Sequence, residues 1–244
     1  MSRFSLTVLA ALAASAIDAV SASAQDASPL KLAGTIDAGF VSATGNTDVT
    51  TISLGNKIGA TRGRWTLQQH SAYVYGKTEG VESANQLRIG TRAEYAINGR
   101  FSAFTSVGYE RNTFAGFDRR VDEQLGAQWR AIAMARDSLE LDAGGLLTQQ
   151  DNTDGTSDRS PSARGAIAYK HVFSEKTFAT QAVEYMPSLE ESGAYRMNAE
   201  TALVAPVTAR INIKVGYIVQ YNSRPPANFG TTDRVLTSGL QISF

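Results

Sequence analysis

The sequence predicts an all-β protein: a transmembrane up-and-down antiparallel β-barrel of about 12 strands. Three observations carry this. From Leu30 onward, apolar and polar residues alternate with period two rather than 3.6. The alternating runs are about 10–15 residues long, whereas strands of globular sheets commonly have five or six. The aromatic residues fall in two bands separated by a band of Leu, Ile, Val, Ala and Thr. Two membrane–water interfaces demand that arrangement, and a soluble core does not.

The runs cover roughly residues 30–43, 48–61, 64–77, 82–97, 100–113, 119–132, 137–149, 162–173, 177–187, 194–205, 208–222 and 232–244. Their connections alternate in kind. Arg62-Gly63, Asn98-Gly99, Ala133–Arg136, Ser174–Lys176 and the corner at Pro206 are tight, and Asn-Gly is a type I′ hairpin signal. Gly45–Thr47, Lys77–Val81, Thr113–Asp118, Gln150–Pro161, Ser188–Gly193 and Ser223–Thr231 are mostly longer and polar or glycine-rich. Short turns at one end, longer loops at the other and an even strand count are the pattern of an outer-membrane barrel.

Each strand has two faces. One is apolar, for example Leu87, Ile89, Ala93, Tyr95 and Ile97 on the fourth run and Ile211, Ile213, Val215, Tyr217 and Val219 on the eleventh. The opposite face carries charge. Candidate lumen residues are Arg88, Arg92 and Glu94 on the fourth run and Asp122 and Arg130 on the sixth. Glu140 and Asp142 follow on the seventh, Arg164 and Lys170 on the eighth, Arg196 and Glu200 on the tenth, and Arg210 and Lys214 on the eleventh. Odd strands running outward put Trp65, Tyr95, Phe101, Trp129, Tyr169, Phe173 and Phe244 near the turns. Phe40, Tyr73, Tyr75, Tyr109, Tyr185, Tyr195, Tyr217 and Tyr221 then lie near the loops. Closure requires 30–44 to run antiparallel to 232–244, with Phe244 low on the wall beside the start of the first strand.

Residues 1–24 read as a signal peptide: Arg3, an apolar run from Leu6 to Ile17, and small residues Ala22-Ser23-Ala24 before the expected cleavage. The run is short of the ~20 residues of a membrane anchor. Residues 25–244 are read as a single barrel domain, destined for the outer membrane of a Gram-negative cell.

The chain has 23 basic and 23 acidic residues, so it lacks the basic excess of a nucleic-acid binder. It has no cysteine and two histidines, and no cofactor or metal is expected. In DNTDGTSD (Asp151–Asp158) the calcium-loop pattern around Gly155 fails, because Gln150 and Pro161 stand at ligand positions. His70 alternates with Gln68 and Ala72 on the lumen face, and Ser71 points the other way. The two cannot form a nucleophile–base pair within one strand, so no catalytic set is expected; a distant serine is the only route to a lipid-modifying enzyme. His171 reads as an interfacial residue between Tyr169 and Phe173.

GFVSATGNTDVTTISLG (Gly39–Gly55), YERNTFAGFDRR (Tyr109–Arg120) and NFGTTDRVLTSGLQISF (Asn228–Phe244) together resemble the YdiY-like, salt-induced outer-membrane protein family of Gram-negative bacteria, a domain family of unknown function. The resemblance spans nearly the whole mature chain. It implies a small outer-membrane barrel and supplies no catalytic residues. The C-terminal strand ending in Phe244 resembles the signal read by the barrel-assembly machinery, the partner expected during biogenesis. Outer-membrane lipid and lipopolysaccharide are the other expected partners, the latter through Arg119, Arg120 and Arg224 near the loops. The functional expectation is a monomeric barrel of structural or envelope-adaptive role with a largely side-chain-filled, charged lumen. A narrow pore passing small solutes and a lipid-modifying enzyme are the alternatives.

Overall fold

The computed structural model describes residues 28–43, 49–174 and 176–244. The expected signal peptide and the Gly45–Thr47 loop lie outside the described residues. Twelve antiparallel strands close into one barrel. They are β1 (Lys31–Ala43), β2 (Val49–Arg62), β3 (Trp65–Thr78), β4 (Val81–Ala96), β5 (Phe101–Asn112) and β6 (Phe117–Ala133). The second half comprises β7 (Asp137–Asn152), β8 (Ser157–Val172), β9 (Phe178–Pro187), β10 (Tyr195–Pro206), β11 (Ile211–Asn222) and β12 (Thr232–Ser243). Among the described residues the one helical piece is a 3₁₀ turn, Thr113–Ala115, capped by the Asn112 side chain.

Each strand pairs with its sequence neighbours and β1 pairs with β12, so the ring has no free sheet edge, as a lipid environment requires. The outward face is apolar: Leu125, Ile167, Leu203, Val107 and Ile213 are exposed on the wall. Some outward polar side chains are satisfied in pairs. Ser71 Oγ donates to Asn56 Oδ1 at 3.0 Å, and Thr201 Oγ1 donates to Gln181 Oε1 at 2.5 Å. Glu123 is an exception: it is exposed on the wall between Val107 and Leu147.

The two aromatic bands form as rings in contact. At the turn end Trp65 packs on Tyr95 (centroids 5.0 Å) and Phe101 stacks on Trp129 (6.2 Å). At the loop end Tyr195 lies 5.3 Å from both Tyr185 and Tyr221. Neighbouring strands thus place their aromatics at matching heights.

Three connections depart from the sequence reading. Lys77–Val81 is no loop: β3 and β4 meet through Glu79-Gly80 alone, both with positive φ (53° and 77°), the backbone of a type I′ hairpin. Gln150–Pro161 is mostly strand, since β7 runs to Asn152 and β8 starts at Ser157. Its Thr153–Thr156 tip is held by Asp154 Oδ1, which accepts from the Thr156 N–H at 2.9 Å and hydroxyl at 2.6 Å. Arg210 belongs to the β10–β11 turn rather than to a strand, because β11 begins at Ile211.

Closure pairs Thr35–Ala38 with Leu240–Ser243. Gly34 and Phe244 exchange both backbone hydrogen bonds at 3.0 Å. The Phe244 ring lies over Gly34, where a Cβ would come within 2.7 Å of it, so a larger residue there would displace the ring. The last residue sits beside the start of β1 as expected, but the ladder is shorter than the full-length pairing. Above it the backbones approach closely at Gly39 against Ser238 and Gly239 against Ala38, and the register ends there.

Candidate functional site: the braced lumen

The interior is where the charged faces of the strands converge, and three ties cross it. In the first, Arg92 of β4 donates through Nη1 to Asp142 Oδ2 of β7 at 2.8 Å. The same oxygen accepts from Arg164 Nη1 of β8 at 3.2 Å. Arg164 continues to Glu184 of β9 through Nε, and Glu184 accepts from Asn198 Nδ2 of β10 at 3.1 Å. Glu94 sits 3.5 Å from Arg92. In the second, Arg196 of β10 donates to Asp122 Oδ1 of β6 (3.1 Å) and to Thr148 Oγ1 of β7 (2.6 Å), while Thr148 donates to Asp122 (2.6 Å). In the third, Gln86 of β4 donates to Glu110 Oε1 of β5 (2.7 Å) and to Gln220 Oε1 of β11 (3.0 Å). The β4–β11 contact spans the barrel.

Aromatic and apolar groups fill the space beside these ties. Phe104 is 2% exposed, with the Arg92 guanidinium 3.6 Å from its ring centroid and Arg164 at 5.6 Å. The ring is admitted by Gly126, where a Cβ would come within 2.8 Å of it. Leu146, Met186, Val204 and Phe117 are also buried. A planar guanidinium on a ring face gains cation–π attraction while its edge keeps its ion pairs. The belt is therefore packed and its charges are paired, as charge removed from water requires, while Asp142 Oδ1 is buried without a hydrogen-bond partner.

The remaining lumen candidates lie outside this belt. Arg130 and Glu140 pair at 3.2 Å near the turn end, partly exposed. Lys214 meets Asp37 at 3.5 Å, and Gln241 donates to Asp37 at 2.8 Å. Lys170 lies over the Phe178 ring at 4.1 Å. Arg88 and Glu200, with Lys57, lie within electrostatic range of His70. His70 rests on Gly90, where a Cβ would collide with the imidazole. His70 and Lys57 are exposed, so solvent reaches this sector beside the ties. His171 pairs with Asp137 at 2.8 Å and meets the Phe173 ring edge-on.

Several residues of the ties were not singled out by sequence: Gln86, Phe104, Glu110, Thr148, Glu184 and Gln220. Their strand parity is the available signal, since each shares the inward face of its strand. Near the loops, Arg119 pairs with Asp151 at 2.7 Å and Arg224 with Glu191 at 3.3 Å, both exposed. Arg120 corrects the sequence reading: it turns inward, donating to Gln150 at 2.7 Å under the Phe117 ring, and does not face lipopolysaccharide.

A closed twelve-strand barrel with an apolar wall, two aromatic bands and a polar lumen is an outer-membrane-type β-barrel. Solved structures share the fold. A NanC porin is 9% identical, covers 86% of this chain and 97% of its own, and has a TM-score of 0.50. An outer membrane channel from Pseudomonas putida F1 is 10% identical over 90% of this chain and 98% of its own, with a TM-score of 0.53. At the sequence level, residues 36–244 match the family described as "Protein of unknown function, DUF481", and the chain belongs to that family. The "Uncharacterized protein YdiY" of Escherichia coli (strain K12) is 23% identical, over 97% of this chain and 93% of that protein.

Proposed function

We propose that this protein is a structural, envelope-adaptive barrel of the outer membrane, exported by a cleaved signal peptide and acting as a monomer, with a lumen braced shut rather than built to conduct. The observation that supports this is the chain Arg92–Asp142–Arg164–Glu184, packed over Phe104. A conducting pore gains from mobile, solvated charges. Here the guanidinium groups are paired and largely removed from water. Phe244 serves insertion, presenting its ring at the turn-end interface to the assembly machinery. Lipid contacts the apolar wall, and lipopolysaccharide phosphate meets the rim near Arg119 and Arg224.

A liposome-swelling assay tests the reading. Proteoliposomes of the refolded protein should swell in arabinose no faster than empty liposomes. Swelling at porin-like rates would overturn it. A narrow pore is the second reading, favoured by the exposed Lys57–His70 sector. It predicts slow swelling that falls when His70→Trp narrows that sector.

A further inference from the structure

The turn end of the lumen opens into a vestibule of about 380 Å³, within the size range of small-molecule sites. Arg64, Arg100 and Arg130 line it, with Glu94, Asn98 and Gln128. The carboxylate of Glu94 is engaged by Arg92 at its floor. Arg130 is neutralised by Glu140. Arg64 and Arg100 have no acidic partner among the described residues; Arg64 reaches only the Tyr95 hydroxyl at 3.5 Å. Two uncompensated guanidinium groups therefore sit at the mouth of one concave space.

Both are carried by rigid corners. Asn98 Oδ1 accepts from the N–H groups of Arg100 (2.8 Å) and Phe101 (2.9 Å), fixing the β4–β5 turn. Gly63, at φ 58°, makes the turn that presents Arg64. The turns fix the backbone positions from which the two exposed guanidinium forks project, and such forks match the paired oxygens of phosphate and carboxylate. Unmatched positive charge at a concave mouth raises the local concentration of anions. The loop-end mouth differs, since there Glu110 and Asp122 offset Arg120 and Arg196.

We propose that this vestibule binds a small anion bearing phosphate or carboxylate groups, entering from the periplasm and held by Arg64 and Arg100. The vestibule's blind end rests on the closed-lumen reading; the binding itself does not. The shared chemistry has two possible sources, a soluble periplasmic solute or a lipid headgroup of the adjoining leaflet.

The test is calorimetric titration of the full barrel, folded in neutral detergent at low salt, with sodium pyrophosphate. Wild type should bind saturably at one site. Arg100→Gln should weaken binding about tenfold or more, the value of a charge-assisted contact. Arg210→Gln, on the β10–β11 turn across the ring from β4–β5, should change affinity less than twofold. Retained heat-modifiability on gels shows that each variant is folded. Absence of saturable wild-type binding overturns the proposal. Equal weakening by Arg210→Gln also overturns it, since that would mark diffuse rim charge. Repeating the titration in phosphatidylcholine nanodiscs with and without phosphatidylglycerol separates the sources. Competition by phosphatidylglycerol assigns the site to a headgroup, and unchanged affinity assigns it to a soluble anion.

Discussion

Replacing Asp142 with alanine removes the one carboxylate oxygen that two arginines share. Arg92 approaches it at 2.8 Å and Arg164 at 3.2 Å, and the three side chains are 16%, 10% and 10% exposed for Arg92, Asp142 and Arg164. Taking one partner from a fully buried ion pair costs about 3–5 kcal/mol. Here Arg92 keeps Glu94 and Arg164 keeps Glu184, and lumen water screens part of the loss. The expected cost is therefore about 2 kcal/mol, a factor of roughly 30 in the folding equilibrium. Glu140→Gln, at the exposed pair with Arg130, should cost below about 0.5 kcal/mol. Urea titration in phospholipid vesicles, read by tryptophan fluorescence and by gel mobility, measures both. Similar midpoints for the two variants, or an unchanged midpoint for Asp142→Ala, would refute the argument that the belt holds the barrel together.

Four further outcomes are expected. Leu125→Arg, on the exposed wall, should cost about 2–4 kcal/mol if it lies near the bilayer midplane; Glu123→Leu, two residues away, should leave the urea midpoint in vesicles unchanged or raise it. Asp154→Cys, in the β7–β8 tip, should react with an impermeant maleimide on intact cells, and labelling only after lysis would invert the orientation. Deleting Phe244 should lower the yield of heat-modifiable protein in the membrane far more than refolding in detergent; equal effects would make the ring a packing element only. The Asp154 carboxyl is held below its usual range by its hydrogen bonds from Thr156. Its contribution is thus complete above the ordinary Asp value of about 3.9 and lost as pH falls through the lowered one. Amide exchange at Thr156 should rise over that interval relative to Asp154→Asn, in which the step should vanish.

The strands were legible because lipid outside and polar groups inside force period-two alternation along every crossing. The same logic explains what was not. Beyond the apolar band of the wall a hairpin needs no apolar face, so Gln150–Pro161 loses its alternation and reads as a loop although β7 and β8 continue through it. Strand parity assigned Arg92, Asp142, Arg164 and Arg196 to the interior without saying which would meet. Gln86 and Gln220 are 134 residues apart, and their contact depends on how the ring closes. Phe104 shares the inward parity of its strand, but its place under the Arg92 guanidinium depends on the absence of a side chain at Gly126.

The most direct test of the central claim, that side-chain ties close the lumen, is planar-bilayer recording of the wild type beside the Arg92→Ala/Arg196→Ala double variant. Each substitution cuts one cross-lumen tie. A silent wild type and discrete, stable conductance steps from the variant are expected. Open-channel steps from the wild type, unchanged in size by the double substitution, would contradict it.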